Sequence, residues 1–358
     1  MKRTIFPLLI LAALHGSAPA QDSNYWDTQY GTKGGMLGGL VVGSPSDLSA
    51  TFYNPGWIPL QVDPSLLTTT LSAEVYSITL KNALGYGTEP VSTTITTQPL
   101  EAYRIDMDEG EENGLDVTST TVASSPDYLA GRFTLDPART WSWAYSYLKR
   151  IQFDMDSRGV AFDPRPQPPA ADDWFSGETF QRSQADEYWY GLTAATPLKS
   201  NVALGFTPYV VYRSVQSRFQ TAAQESNSQG DFAQTYFADD YRFYHVRMLM
   251  KIGLAVDRGD WKLGLTATTP SLGIMGRGEQ LVHFTVSGVD QDGDGVIDPT
   301  YLANNFQDDL ATHWQSPLSL AAGVTWKRDR TGIHLTAEWF DAVSAHRAMD
   351  PEPFLDQT

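Results

Sequence analysis

SPLSLAAGVTWKRDRTGIHLTAEWFDAV, residues Ser316–Val343, reads as two strands folded about a tight turn. Leu318, Leu320, Ala322, Val324 and Trp326 alternate with Ser319, Ala321, Gly323, Thr325 and Lys327. Beyond the turn Arg328–Gly332, Ile333, Leu335, Ala337 and Trp339 alternate with His334, Thr336, Glu338 and Phe340. A period of two puts each set on one face of a sheet. Val246–Val256 and Trp261–Ala267 repeat the pattern around the turn Asp257–Asp260. In all four runs the second face carries small residues with a few charges. A soluble sheet would more often cover its wet side with long Lys and Glu side chains throughout. The expected fold is therefore all-β, an antiparallel transmembrane barrel with about ten strands between Leu66 and Val343, each needing roughly 9–11 residues to cross. A soluble β-sandwich is the alternative.

Three long polar stretches, Asp154–Glu187, Thr221–Tyr241 and Ser287–Thr312, read as loops at the end opposite the tight turns. Trp141, Trp143, Tyr145, Tyr147, Tyr188, Trp189, Tyr190, Trp261, Trp326 and Trp339 are expected near water–lipid boundaries, where amphipathic rings gather. No internal repeat of fixed period occurs, and the Pro-rich run Pro164–Ala171 reads as an external loop.

Ahead of the first strand lies GGMLGGLVVGSPSDLSATFYNPGWIPL, Gly34–Leu60, rich in small residues and without a regular period. Such a segment suggests a compact plug made to lie inside the barrel. Before it, Met1–Ala20 has Lys2 and Arg3, an apolar run and a small-residue ending, the pattern of a secretory signal. The expected division is 1–20 signal, 21–62 plug and 63–358 barrel. The absence of Cys leaves backbone pairing and packing to hold an exported chain together. A formal charge of −17 argues against nucleic acid as a partner. No segment reaches the roughly 18 uninterrupted apolar residues of a membrane helix.

The segment from Gly38-Gly39 through DLSATFYNPG (Asp47–Gly56) resembles the N-terminal hatch of the outer-membrane long-chain fatty acid transporters. WKLGLTATTP (Trp261–Pro270) and the Ser316–Val343 hairpin are similar to strands of the same family. The resemblance implies a monomeric fourteen-stranded barrel with a small plug. A hydrophobic ligand would be caught outside, pass an apolar pocket and leave sideways into the membrane. By motif, Tyr53, Asn54, Pro55 and Gly56 would form the hatch turn, with Leu48 and Phe52 as apolar contacts for the ligand. Two departures stand out: the strand count is short of fourteen, and DPEPFLDQT does not end as a strand with a final aromatic residue. The expectation is a family member shortened at its C-terminus, with a smaller closed barrel as the alternative.

Asp290, Asp292, Asp294, Val296 and Asp298 stand at positions 1, 3, 5, 7 and 9 of a calcium-loop pattern with Gly295 at position 6. Tyr301 replaces the bidentate Glu of position 12, so a site there would be weak, and a plain acidic turn reads equally well. No cofactor is otherwise required. Among charges on the small-residue face, Arg247 and Lys251 are the candidates for meeting a ligand carboxylate. An outer-membrane lipase is the enzymatic alternative, with His245 or His334 as base. No Gly-x-Ser-x-Gly elbow occurs, and no catalytic residue is assigned. The expected function is plugged uptake of long-chain fatty acids or other hydrophobic molecules across an outer membrane. A non-transporting barrel acting as adhesin or structural surface protein is the alternative.

Overall fold

The computed structural model describes residues 28–61, 66–80, 117–135, 140–163, 174–226, 232–288 and 296–352. The signal-like residues 1–20, the first part of the expected plug, and Asp290, Asp292 and Asp294 lie outside these; Val296 and Asp298 are described, in a strand-free stretch.

Among the described residues, eleven strands form one antiparallel sheet. They are β1 (Leu67–Leu80), β2 (Val117–Phe133), β3 (Ser142–Asp163), β4 (Trp174–Lys199), β5 (Val202–Ser226) and β6 (Phe232–Arg258), followed by β7 (Trp261–Thr268), β8 (Leu272–Ser287), β9 (Tyr301–Ala311), β10 (Ser319–Arg328) and β11 (Thr331–Phe340). β1 to β7 pair in chain order, then β10 and β11 follow. The sheet is not closed: among the described residues β1 pairs only with β2 and β11 only with β10.

Both turns read from the sequence are present, and Gly259 and Asp329 adopt the left-handed φ that such tight turns require. A third joins β4 to β5 at Ser200–Asn201. The long polar stretches differ from expectation. Most of Asp154–Glu187 and Thr221–Tyr241 continues β3 to β6 as strand, and β9 occupies part of Ser287–Thr312. Polar residues occur on both faces of these extensions, so hydrophobic alternation does not reveal them. Cross-strand pairs hold them instead, among them Arg218–Asp240 and Arg242–Glu279.

The sheet is inverted in polarity. On β6, Phe243, His245, Arg247, Leu249, Lys251 and Ala255 are buried, while Met248 and Ile252 are exposed. On β10, Ser319, Ala321 and Thr325 are buried and Leu320 is 49% exposed. Leu265 on β7 and Leu335 on β11 are more exposed still, at 55% and 67%. Trp261 and Trp326 stand side by side at the turn end of the apolar face, ring centroids 6.3 Å apart. Trp189 departs from the boundary expectation: mid-strand in β4, it points to the buried face.

What covers the polar face is the N-terminal segment. Two short helices, α1 (Thr32–Met36) and α2 (Ala50–Tyr53), lead into a 3₁₀ turn over Pro55–Leu60. Helices this short cannot persist alone, so contact with the sheet holds them. Strands β1 to β7 and β10 all touch this one segment, which requires the sheet to curl round it.

Candidate functional site

Asn54 ties the segment to the wall. Fully buried, its Nδ2 donates to the carbonyls of Val42 (3.2 Å) and Leu254 (3.1 Å), and its Oδ1 accepts from Gly56 N (3.0 Å). The C-terminal carbonyls of α2 would otherwise be orphaned. Thr207 Oγ1 and Tyr209 Oη donate to Thr51 O at 3.2 and 2.9 Å, and Thr266 Oγ1 donates to Tyr53 O at 2.9 Å. Pro55 and Gly56 lie on wall backbone: a Cβ on Gly56 would sit 2.7 Å from Gly253 O, and one on Gly205 2.5 Å from Pro55 O. Gly205 pairs with Gly253 across β5 and β6, and Gly264 with Gly323 across β7 and β10. Glycines on neighbouring strands thus make a trough that admits the Asn-Pro-Gly turn.

Leu48 and Phe52, the two flanking candidates, separate. Leu48 is fully buried in the aromatic core with Tyr30, Tyr128 and Tyr209. Phe52 is half-buried and lines a small cavity of about 60 Å³ with Trp189, Leu249, Lys251, Pro317 and Phe340. Lys251 Nζ lies 4.0 Å from the Phe52 ring centroid and Arg150 Cζ 5.3 Å from it, so two cations contact one aromatic ring. Lys251 is 7% exposed, and no carboxylate among the described residues is in ion-pair contact with it.

Arg247, the other headgroup candidate, is engaged elsewhere. Its Nη2 donates to Glu187 Oε2 (2.8 Å) and its Nε to Ser316 Oγ (3.1 Å). Arg213 Nη1 donates to the same Glu187 oxygen at 3.0 Å and stacks on Trp314 with its Cζ 3.7 Å from the ring centroid. Trp189 Nε1 donates to the second oxygen of Glu187 at 2.7 Å. This buried Arg–Glu–Arg group was not legible, because Glu187 ends a stretch that reads as polar loop and nothing in the sequence links it to Arg213 or Arg247. Of the two candidate bases, His334 Nδ1 pairs with Thr325 Oγ1 (2.9 Å), whereas among the described residues His245 Nδ1 is buried without a partner and neither ring is hydrogen-bonded to a serine.

Beside the cavity the wall changes partners. β6 pairs with β7 over Lys251–Arg258 and with β8 over Gln234–Met248. The hand-over falls at Thr269-Pro270-Ser271, where proline removes a ladder donor. β10 covers β7 as far as Thr268, and β9 covers β8 only from Arg277 onward. Among the described residues Leu272–Gly276 therefore lack a second ladder partner, and Leu272, Ile274 and Met275 are exposed. Opposite them, Ser316 lines the cavity and exchanges hydrogen bonds with Ser271.

A second, larger cavity of about 430 Å³ opens at the tight-turn end, between the segment and β7, β10 and β11. Lys33 Nζ donates to Ser44 O and to Ser44 Oγ, which bonds Thr325 Oγ1 (2.8 Å), which in turn bonds His334. Burial, then repulsion from Lys262 and Lys327, lowers the Lys33 ammonium from 10.5 to about 8, with Asp47 opposing. The docked state therefore binds fewer protons than the undocked state between those two values. Docking should be weakest below pH 8 and strengthen as pH rises toward 10.5. Protease protection of residues 28–61, followed from pH 7 to 10.5, checks this sign, and Lys33→Met should flatten the curve.

No family model matches the chain, and neither a curated protein nor a solved structure matches it.

Proposed function

We propose that this chain is an outer-membrane channel for hydrophobic small molecules, stoppered by residues 21–62. The observation that carries the reading is the inverted sheet: apolar side chains exposed, small and charged ones buried under the N-terminal segment. A soluble monomer rarely leaves an apolar patch larger than a few hundred Å² in water, whereas hydrocarbon is the natural solvent for such a face. In this reading β1 and β11 are the edges that close the cylinder, because each unpaired backbone group in lipid costs several kcal/mol. The resemblance of Asp47–Gly56 to the fatty acid transporter hatch agrees with where the turn docks.

The cavity beside Phe52, about 60 Å³, is far below the roughly 300 Å³ at which ligand pockets begin. This is the shut state, and cargo must displace Phe52 and its neighbours to enter. An alkyl chain gains about 0.8 kcal/mol per methylene buried, so a long chain supplies enough to move such a contact. In this reading Lys251, which shares the cavity lining with Glu338, receives the ligand carboxylate. The uncovered stretch Leu272–Gly276, facing Thr312–Leu318, is the sideways exit.

Deleting Tyr53–Gly56 should change uptake of a fatty acid or an aromatic hydrocarbon while leaving assembly into the membrane intact. Unaltered uptake by an assembled variant overturns the gating role. A non-transporting structural or adhesive barrel has its own support. Paired charges lie buried in the interior, Glu187 with Arg213 and Arg247, and Asp127 with Lys149. Absence of uptake by both the intact and the deleted form would favour it.

A further inference from the structure

The chain has 42 acidic and 25 basic residues, yet among the described residues no acidic side chain lines the larger cavity at the tight-turn end. Its cations come from two separate parts of the fold: Lys33 from the N-terminal segment, Lys262, Lys327 and Arg330 from the wall. Lys262 is shared with Asp257 at 2.8 Å, whereas neither Lys327 nor Arg330 is in ion-pair contact with a carboxylate among the described residues. Like charges gathered in a partly enclosed space repel one another more strongly than they would in bulk water. The arrangement is costly unless something negative enters.

We propose that this cavity binds a phosphate-type oxyanion, which bridges Lys33 on the docked segment to Lys327 and Arg330 on the β10–β11 hairpin. Cations that converge from different elements suit the several oxygens of a tetrahedral anion better than the two of a planar carboxylate. Each contact is a charge-assisted hydrogen bond, about twice as strong as a neutral one. A volume near 430 Å³ lies within the range of small-molecule sites, so phosphate carried on an organic body fits as well as free phosphate. Trp57, Leu60 and Pro45 provide an apolar wall for such a body. The lowered proton affinity of Lys33 agrees with an unneutralised cluster. Because the anion touches both segment and wall, it strengthens docking and acts as a latch. The site requires only the docked segment and holds whether or not the channel carries cargo.

The test uses the full chain in detergent, titrated calorimetrically with inorganic phosphate against sodium chloride of equal ionic strength. A parallel arm uses micelles doped with phosphatidylglycerol or with phosphatidylcholine. Saturable phosphate binding is expected, with protease protection of residues 28–61 rising alongside it. Lys327→Gln/Arg330→Gln, at two exposed positions outside the packed interior, should weaken binding about tenfold or more, as should Lys33→Gln. Binding seen only with phosphatidylglycerol, and lost in the same variants, identifies a lipid headgroup as the source of the phosphate. No saturable binding in either arm, or equal binding by wild type and the double variant, overturns the proposal.

Discussion

Gly264→Ala is expected to release the N-terminal segment from the sheet without dissolving the sheet. A Cβ at Gly264 would meet the Val42 carbonyl oxygen directly and come within 2.8 Å of its carbon and 2.7 Å of Asn54 Nδ2. These atoms belong to backbone and to a fully hydrogen-bonded side chain, so nothing nearby can rotate away. Overpacking of this kind costs roughly 1–3 kcal/mol, comparable with the gain from a few of the hydrogen bonds that hold the segment. The measurement is limited proteolysis of residues 28–61 in the assembled protein. Gly35→Ala is the control, since a Cβ there meets nothing within 4 Å. Full protection of the Gly264→Ala segment would mean that the trough is looser than its glycines imply.

Glu187→Gln should destabilise the wall itself by about 3–5 kcal/mol, the usual cost of removing one partner from a buried ion group. Arg213 and Arg247, with side chains 5% and 0% exposed, would keep two charges with no carboxylate between them. Trp189 would also lose the charged acceptor for its indole N–H. Glu178→Gln is the matched comparison: its pair with Arg158 is exposed, so removing it should cost at most about 1 kcal/mol. Denaturant midpoints measured in the same detergent separate the two. A loss under about 1 kcal/mol for Glu187→Gln would show that water reaches the group when its carboxylate is gone.

Alternation was readable wherever one face of a strand is apolar. Val246–Val256, Trp261–Ala267, Leu320–Trp326 and Ile333–Trp339 all lie in strands, with their apolar set on the more exposed face. It failed in the outer halves of β3 to β6, where Gln181, Ser183, Gln216 and Ser217 give no contrast between faces. Backbone pairing continues there because neighbouring strands already lie alongside, a cause that no single stretch of text contains. Trp189 failed for a related reason. Its neighbours Tyr188 and Tyr190 look the same in composition, and only the parity of the strand turns Trp189 inward against Phe52.

The site divides in the same way. Asn54-Pro55-Gly56 was recognisable as a turn, and the small residues of the wall were visible as a face. That the two meet, Gly56 lying against Gly253 and Pro55 against Gly205, depends on strands some 150 to 200 residues further along the chain. Arg247 and Lys251 look equivalent in sequence, yet one is bound to Glu187 and the other faces a cavity. Sequence alone determined the polarity of the faces, since period two and side-chain chemistry are local properties. The tertiary structure decided which charges are paired, where the wall changes partners and how tightly the leading segment is held. Each of these depends on register between distant strands, and a shift of one residue would exchange every inward side chain for an outward one.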